Sequence, residues 1–223
     1  MIYTPKIQKA LRFATRTHEI YQKQKRKCKD IAYISHPLTA GIILSLAKAS
    51  ENVIIAGILH DTIEDSSKSK KVTPEMIEER FGKKVCDLVV SVTEMNKNLP
   101  WAERKALALE RIRTFSHDAV LVKSADVLSN GMELVYDYGK EKEKIFNCFN
   151  APASAVLANH ARVVDALIKR WPKSPLVSDL RKLALEIKRI KKDFPKEDEG
   201  QGMINRFNKL ADALLSMHKK IIK

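Results

Sequence analysis

The sequence predicts an all-α protein, and three observations support this prediction. Hydrophobic residues make up 44% of the 223 residues, enough for a substantial core, whereas aromatic residues make up only 6%. Glycine (7) and proline (8) are scarce for a chain of this length. Apolar residues recur at helical spacing almost throughout, and few stretches alternate polar with apolar residues. These patterns favour a bundle of about ten helices.

The individual helices are predicted from apolar periodicity and from the residues at their boundaries. Residues 5–22 carry apolar side chains on one side, and a basic loop follows them. Pro37 suits the first turn of the next helix, because that position needs no backbone amide. Thr73 followed by Pro74 indicates another helix start. The remaining helices are predicted over residues 51–62, 74–80, 83–93, 101–114, 117–135, 141–149, 152–171, 176–192 and 203–222.

The stretch DFPKEDEGQG, residues 193–202, is the clearest linker, since it is rich in turn formers and charge. It separates the last predicted helix from the rest of the chain. We therefore expect a main domain over residues 1–175 and a C-terminal helical extension over residues 176–223. We expect the extension to pack on the bundle or to mediate assembly into a homo-oligomer.

The net charge of +14 is concentrated at the two ends of the chain. Residues 1–30 carry nine Lys/Arg against two acids, residues 31–168 carry 17 against 18, and residues 169–223 carry 15 against seven. No nucleic-acid-binding motif accompanies the basic ends, so a solvated surface is favoured over a nucleic-acid partner.

The sequence contains no apolar run of membrane-spanning length, and its first residues lack the apolar segment of a signal peptide. Its three cysteines, Cys28, Cys86 and Cys148, are far apart in sequence and have no metal-binding spacing, which is typical of a reducing compartment. We expect a soluble cytoplasmic protein without a membrane partner.

The stretch AGILHDTIEDSS, residues 56–67, concentrates ionisable residues at the end of an apolar run. In a helix, His60 and Glu64 are four residues apart, as are Asp61 and Asp65, so the two pairs would share one face. Buried carboxylates in this number are costly unless they are paired or bind a metal. The alternative is a helix end that emerges into solvent, where acidic residues are common.

Two further sites carry similar chemistry. His36 precedes Pro37 at the entry to an apolar helix, and Asp126 and Asn130 lie four apart within another. Alone, His36 would be read as a capping or surface residue, and Asp126 with Asn130 as a hydrogen-bonded buried pair. Together with His60 and Asp61, they make a mixed nitrogen and oxygen set suited to a divalent transition metal.

These residues follow the H…HD…D pattern, and the chain resembles the HD-domain metal-dependent phosphohydrolases. The stretches YISHPLTAGIIL, AGILHDTIEDS, TPEMIEERFGKKVCDLVVSVTE and LVKSADVLSN are similar to the guanosine tetra- and pentaphosphate (alarmone) hydrolase domain of the RelA/SpoT family. WAERKALALERI and the chain's brevity look most like the single-domain small alarmone hydrolases of the metazoan SpoT homologue type. The resemblance covers roughly residues 5–170 and implies an HD-domain helical bundle.

The resemblance also implies roles for individual residues. One manganese ion would be held by the family's metal ligands, here His36, His60, Asp61 and Asp126. Glu64 and Asp65 match the pair that orients and deprotonates the attacking water. Substrate contacts would come from Asn130 on the ribose and from Arg26 stacked on the guanine base, with Lys25 or Lys27 as alternatives to Arg26. Apart from the resemblance, charge makes Lys123 and the basic cluster over residues 23–29, which includes Lys27, candidates to neutralise the phosphates.

The implied activity is that of a manganese-dependent pyrophosphohydrolase, which removes the 3′-pyrophosphate from guanosine tetra- or pentaphosphate by attack of a metal-activated water. Alternatives are an HD phosphohydrolase acting on another phosphorylated nucleotide, such as the 2′-phosphate of NADPH or a nucleoside phosphate, and a nucleotide-sensing or antitoxin-like binding protein. The intact HD and ED pairs favour an enzyme, because a pure binder needs no base beside the metal.

The sequence departs from the family after Asp126. Val127 stands where relatives usually have a basic residue, and Met132 stands where they have an arginine. Glu133 adds a negative charge where a phosphate-rich ligand is expected nearby. These positions bear on the identity of the substrate, not on metal binding.

Overall fold

The computed structural model describes residues 3–94 and 98–194. Within these ranges the chain forms nine α-helices and no β-strand, apart from an isolated bridge between Lys25 and Ala32. The helices are α1 (Pro5–Thr15), α2 (Ser35–Leu46), α3 (Glu51–Leu59), α4 (Pro74–Phe81), α5 (Lys83–Val92), α6 (Trp101–Ile112), α7 (His117–Glu141), α8 (Ala153–Arg170) and α9 (Val177–Lys191). The all-α prediction is confirmed.

Side-chain caps fix several helix starts. Thr73 accepts a hydrogen bond from the backbone N–H of Met76 at 3.4 Å, with Pro74 in the first turn, which is the start predicted for α4. Ser116 caps α7 in the same way by accepting from the N–H of Ala119 at 3.1 Å.

Some boundaries differ from the predictions. α1 ends at Thr15 and continues as a π-helical turn over Arg16–Tyr21. α3 ends at Leu59, so the HDTIED stretch lies in the turn after the helix. α7 extends to Glu141 because Leu134 and Tyr138 continue its buried stripe. A short 3₁₀ segment, Lys142–Cys148, replaces the predicted helix over 141–149. The helix predicted over 203–222 lies outside the described residues.

The longest helix, α7, lies at the centre of the bundle and contacts α2, α3, α5, α8 and α9. Thirteen of its residues are buried, among them Asp126 at mid-length. This helix therefore carries polar side chains into the core from a rigid, well-packed element.

Two glycines let α2 and α3 pack closely. A Cβ on Gly41 would lie 2.8 Å from Ile58 Cγ1, and a Cβ on Gly57 would lie still closer to Leu44 Cδ1. Real Cβ atoms essentially never come within 3.0 Å of another heavy atom. The close approach brings the start of α2, with His36, next to the end of α3, with His60.

The first part of the predicted C-terminal extension packs on the bundle. α9 contacts α7 and α8, and it contributes buried side chains to the same core, namely Leu180, Leu183, Ile187 and Ile190. The domain boundary at residue 175 stays a prediction. No helix in the described ranges is both long enough and apolar enough to cross a membrane.

The cysteines behave differently from the sequence expectation. Cys28 and Cys148, 120 positions apart, form a disulfide, and Cys86 is free and buried. Sequence distance was a wrong guide here, because the basic loop after α1 folds back against the segment Lys142–Cys148. The disulfide joins these two segments covalently.

Candidate active site

The chemistry-bearing residues converge where α2, α3 and α7 meet. His36 Nε2 lies 3.1 Å from His60 Nε2 and 3.3 Å from Asp126 Oδ1. One ligand atom from each of these three residues lies within 4.8 Å of the others. All three residues are buried, with 2%, 3% and 9% of the residue surface exposed.

Asp61 joins this cluster from the turn after α3. Its Oδ2 lies 3.0 Å from His60 Nε2 and 3.5 Å from His36 Nε2. The Tyr33 hydroxyl donates a hydrogen bond to the same oxygen at 2.6 Å. Two nitrogen and two oxygen atoms from the four sequence-predicted ligands are thus brought together.

The second nitrogen of each histidine has its own partner, and this fixes the ring orientation. His60 Nδ1 lies 2.7 Å from the carbonyl of Gly57, so Nδ1 carries the proton and donates it there. His36 Nδ1 lies 2.8 Å from Ser129 Oγ, and the Ser129 hydroxyl in turn donates a hydrogen bond to the His36 carbonyl at 3.4 Å. Both Nε2 atoms therefore face the cluster, the orientation that metal-binding histidines have.

Asp126 is held by two neighbours one helical turn away. Asn130 Nδ2 donates to its Oδ1 at 2.7 Å, and Lys123 Nζ donates to its Oδ2 at 2.8 Å. Burial alone would lower the pKa of Lys123, but Asp126 outweighs this and raises it. Lys123 is therefore a cation beside the cluster at neutral pH.

The electrostatics of the cluster indicate a site for positive charge. Burial alone would raise the pKa of both Asp61 and Asp126. Instead, His60 and His36 lower the pKa of Asp61 well below its usual value, and Lys123, followed by His36 and His60, lowers that of Asp126 in the same way. Burial and Asp61 raise the pKa of Tyr33 well above its usual range, so its hydroxyl remains a donor. Two buried carboxylates that stay ionised are suited to a bound cation.

Glu64 and Asp65 lie one turn beyond the cluster, on the same cavity. Glu64 Oε2 accepts a hydrogen bond from the backbone N–H of Glu94 at 2.9 Å. Asp65 Oδ2 accepts one from Gln24 Nε2 at 3.1 Å, and its own N–H still bonds to the Asp61 carbonyl in helical fashion. These contacts position both carboxylates beside the cluster.

The basic loop reaches the site from the other side. Arg26 donates to Asn130 Oδ1 at 2.7 Å and to Glu133 Oε2 at 2.9 Å, so two predicted substrate residues contact each other. Lys29 pairs with Glu133 and also with Asp137. The negative charge of Glu133, which the sequence left unexplained, is thus balanced within the protein.

Lys27 lies over the ring of Phe149, with its ammonium 4.8 Å from the ring centroid. Burial, followed by the neighbouring cations Lys105 and Arg26, lowers its pKa. A group of cations that repel one another in this way favours the binding of an anion.

A single cavity of about 380 Å³ connects these groups. It is lined by residues that sequence reasoning singled out, including Arg26, Lys27, His60, Asp61, Glu64, Asp65, Lys123, Asp126 and Asn130. Its size is that of a small-molecule site. His36 lies behind it, against the cluster.

Other residues on the cavity were missed. Tyr33, Trp101, Lys105, Asn159 and His160 all line it. Tyr33 and Trp101 lie within stretches that were quoted only for the resemblance, while Asn159 and His160 carry no pattern with other polar residues. The residues of α6 and α8 have no fixed sequence spacing from the HD residues that could indicate a shared site, since these helices reach the cavity only through the tertiary fold.

The arrangement fits a divalent metal, because two imidazole nitrogens and two ionised carboxylates converge from well-packed elements. A helical bundle with such a cluster beside a cation-lined cavity defines the class of metal-dependent phosphohydrolases. The HD domain family model matches residues 10–151, and the chain belongs to this family.

The relatives agree with this assignment. Over 131 residues, covering 58% of this chain and 69% of the relative, the chain is 34% identical to guanosine-3′,5′-bis(diphosphate) 3′-pyrophosphohydrolase MESH1 of Drosophila melanogaster. It is 38% identical to the Xenopus tropicalis MESH1 over 130 residues, 57% of this chain and 69% of that one. A solved structure described as a metazoan ortholog of SpoT that hydrolyzes ppGpp superposes with a TM-score of 0.63 at 27% identity, covering 86% of this chain and 96% of that chain. The resemblance inferred from sequence is confirmed.

Proposed function

We propose that this protein is a pyrophosphohydrolase that removes the 3′-pyrophosphate from guanosine 3′,5′-bis(diphosphate) and the corresponding pentaphosphate. One observation carries the proposal: the histidine and aspartate cluster, the Glu64 and Asp65 carboxylates and the basic loop all line or adjoin one nucleotide-sized cavity. The relatives with this printed activity support the choice of substrate.

The metal would be held by His36, His60, Asp61 and Asp126, and we propose Mn²⁺ as the resident ion, one per site. When bound, such an ion polarises a phosphoryl oxygen and lowers the pKa of water. Tyr33 and Asn130 would orient Asp61 and Asp126 through the hydrogen bonds described above.

Glu64 is proposed as the general base, with Asp65 orienting the same water. A carboxylate one turn from the metal ligands can accept a proton without ligating the metal itself. The backbone N–H of Glu94 holds Glu64 in place, and Gln24 holds Asp65.

The charged phosphates require cations. We propose that Lys123 and Lys27 contact phosphate oxygens, and that Arg26 and Asn130 contact the nucleotide from the basic loop and α7. Residues 176–223 are proposed as a C-terminal extension; its described part, α9, packs on the bundle, and assembly into a homo-oligomer is the alternative role.

A substrate panel tests the proposal. Purified protein with Mn²⁺ is offered guanosine 3′,5′-bis(diphosphate), NADPH and nucleoside monophosphates, and both phosphate and pyrophosphate are measured. We expect pyrophosphate from the first substrate and loss of this release in Asp61→Ala. Turnover of NADPH or of a nucleoside phosphate, with no turnover of guanosine 3′,5′-bis(diphosphate), would contradict the proposed substrate and favour the phosphorylated nucleotide that is turned over.

A further inference from the structure

The helix α8 brings two adjacent polar residues to the cavity. Asn159 and His160 line the same space as His60, Asp61 and Asp126. Because α8 packs against both α6 and α7, Trp101 and Lys105 of α6 border this part of the cavity as well. Val156 and Val163 give it an apolar surface. Apart from Lys105, the cavity wall formed by α6 and α8 therefore carries uncharged polar and apolar side chains, whereas the HD turn and α7 contribute mainly charged ones.

Asn159 and His160 have hydrogen-bonding capacity that the described residues do not use. Asn159 Oδ1 is buried and accepts no hydrogen bond within them. Burial lowers the pKa of His160 to about 4, with no hydrogen bond contributing to the shift, so its imidazole is neutral at pH 7 and offers one N–H and one lone pair. Leaving the buried Asn159 oxygen unpaired is costly, so it is expected to have a partner in the working state.

The chemistry of that partner follows from the unsatisfied atom. A carboxamide oxygen needs a donor, and ionised phosphate oxygens only accept. Cations on this cavity, among them Lys27, Lys105 and Lys123, are suited to the phosphates instead. The uncharged part of a guanosine nucleotide supplies donors, since the base has N–H groups and the ribose has a 2′-hydroxyl.

We propose that Asn159 and His160 are specificity-determining residues, which hydrogen-bond to the nucleoside part of the substrate and not to its phosphates. This inference rests on the proposed function for the identity of the nucleotide. It assigns recognition of the nucleoside to α8, which the sequence motifs did not include.

Binding and turnover test the inference separately. Guanosine, inosine and 2′-deoxyguanosine 5′-diphosphates are titrated calorimetrically into wild type, Asn159→Leu, His160→Leu and the conservative His160→Gln, without metal. Turnover of guanosine 3′,5′-bis(diphosphate) with Mn²⁺ is measured on the same proteins. His117→Leu is the matched control, because His117 stacks on Trp171 at 4.1 Å and does not line the cavity.

We expect each leucine variant to weaken guanosine diphosphate binding and to raise KM about three- to tenfold, with kcat within about twofold. His160→Gln should recover most of the affinity, and His117→Leu should match wild type. If wild type binds inosine diphosphate, which lacks the 2-amino group, more weakly than guanosine diphosphate, and the leucine variants bind both equally, the partner is the base. The same pattern for the 2′-hydroxyl identifies the ribose.

Equal affinities in wild type and both leucine variants, or no nucleoside diphosphate binding in wild type, would overturn the inference. A fall in kcat alone would also overturn it, since that indicates a structural effect on the metal cluster. Wild type that binds guanosine diphosphate through Asn159 and His160 but releases no pyrophosphate would refute the proposed function and leave the inference standing.

Discussion

The close packing of α2 on α3 at Gly57 gives a prediction whose size follows from the structure. In Gly57→Ala the new Cβ would lie within 3.0 Å of Leu44 Cδ1, so the Leu44 side chain, which is fully buried, would have to shift. Overpacking of this kind costs about 1–3 kcal/mol. Alanine in a helix interior is favoured over glycine by about 1 kcal/mol, which offsets part of that cost.

Gly139→Ala is the matched control, because Gly139 is exposed on α7 and a Cβ there meets nothing within 4 Å. It gains the same helix propensity without the clash, so it should be more stable than wild type by about 0.5–1 kcal/mol. The difference in free energy of unfolding between the two variants isolates the packing cost, which we expect to be about 1–3 kcal/mol.

The assay is urea unfolding at 25 °C in the presence of a chelator, followed by calorimetric titration with Mn²⁺. The Gly57 carbonyl accepts a hydrogen bond from His60 Nδ1 and so orients this metal-ligand candidate. Because a backbone shift at Gly57 would disturb that orientation, Gly57→Ala should also weaken Mn²⁺ binding about tenfold, whereas Gly139→Ala should not. If Gly57→Ala is stabilised as much as Gly139→Ala, the helices do not approach this closely and the reasoning is wrong.

Three further predictions address the base, the buried histidine and the disulfide. Glu64→Gln should lower kcat for pyrophosphate release about 10²- to 10⁴-fold while Mn²⁺ affinity stays within a few-fold of wild type, and a kcat near wild type would exclude Glu64 as the base. Burial lowers the pKa of His160 from 6.5 to about 4, although the negative charge of Asp126 acts in the opposite direction. Between pH 6.5 and pH 4, His160 is therefore protonated in the unfolded chain but not in the folded protein. Its share of stability should fall by at most about 3 kcal/mol between pH 6.5 and pH 4, and His160→Gln should show a correspondingly shallower fall in urea unfolding; parallel curves would contradict this. Replacing Cys28 and Cys148 together by serine should lower the free energy of unfolding by about 2–5 kcal/mol, because the bridge closes a loop of 120 positions; a dithiol reductant should have the same effect on wild type and none on the double variant.

Much of the site could be predicted from the sequence because its residues lie in local patterns. Apolar periodicity predicted the helices, and the HDTIED stretch placed four ionisable residues at the end of one of them. The distant partners His36 and Asp126 were connected to that stretch through resemblance, since helical periodicity alone leaves a capping histidine and a buried polar pair as alternatives. The structure then brings His36 and Asp126 together with His60 and Asp61 of that stretch.

The helical reading of HDTIED itself was wrong. α3 ends at Leu59, and the stretch continues as a turn in which the Asp65 N–H still bonds to the Asp61 carbonyl. This turn keeps the two pairs near one another, so the expected proximity survives for a different local reason.

The remaining features depend on contacts between residues far apart in sequence. Tyr33 reaches Asp61 only because the basic loop folds over the end of α3. Glu133 finds Arg26 across 107 positions, and Cys28 finds Cys148 across 120. Such pairings leave no periodic signal in a single sequence, so they could not be predicted.

The most direct test is pyrophosphate release from guanosine 3′,5′-bis(diphosphate) by the 223-residue chain with Mn²⁺, compared with the same protein in chelator and with Asp126→Ala. We expect release by the wild type supplied with Mn²⁺, loss of release both in chelator and in Asp126→Ala, and cooperative unfolding of that variant. A folded wild type that binds Mn²⁺ at this cluster yet leaves the nucleotide intact would contradict the central claim.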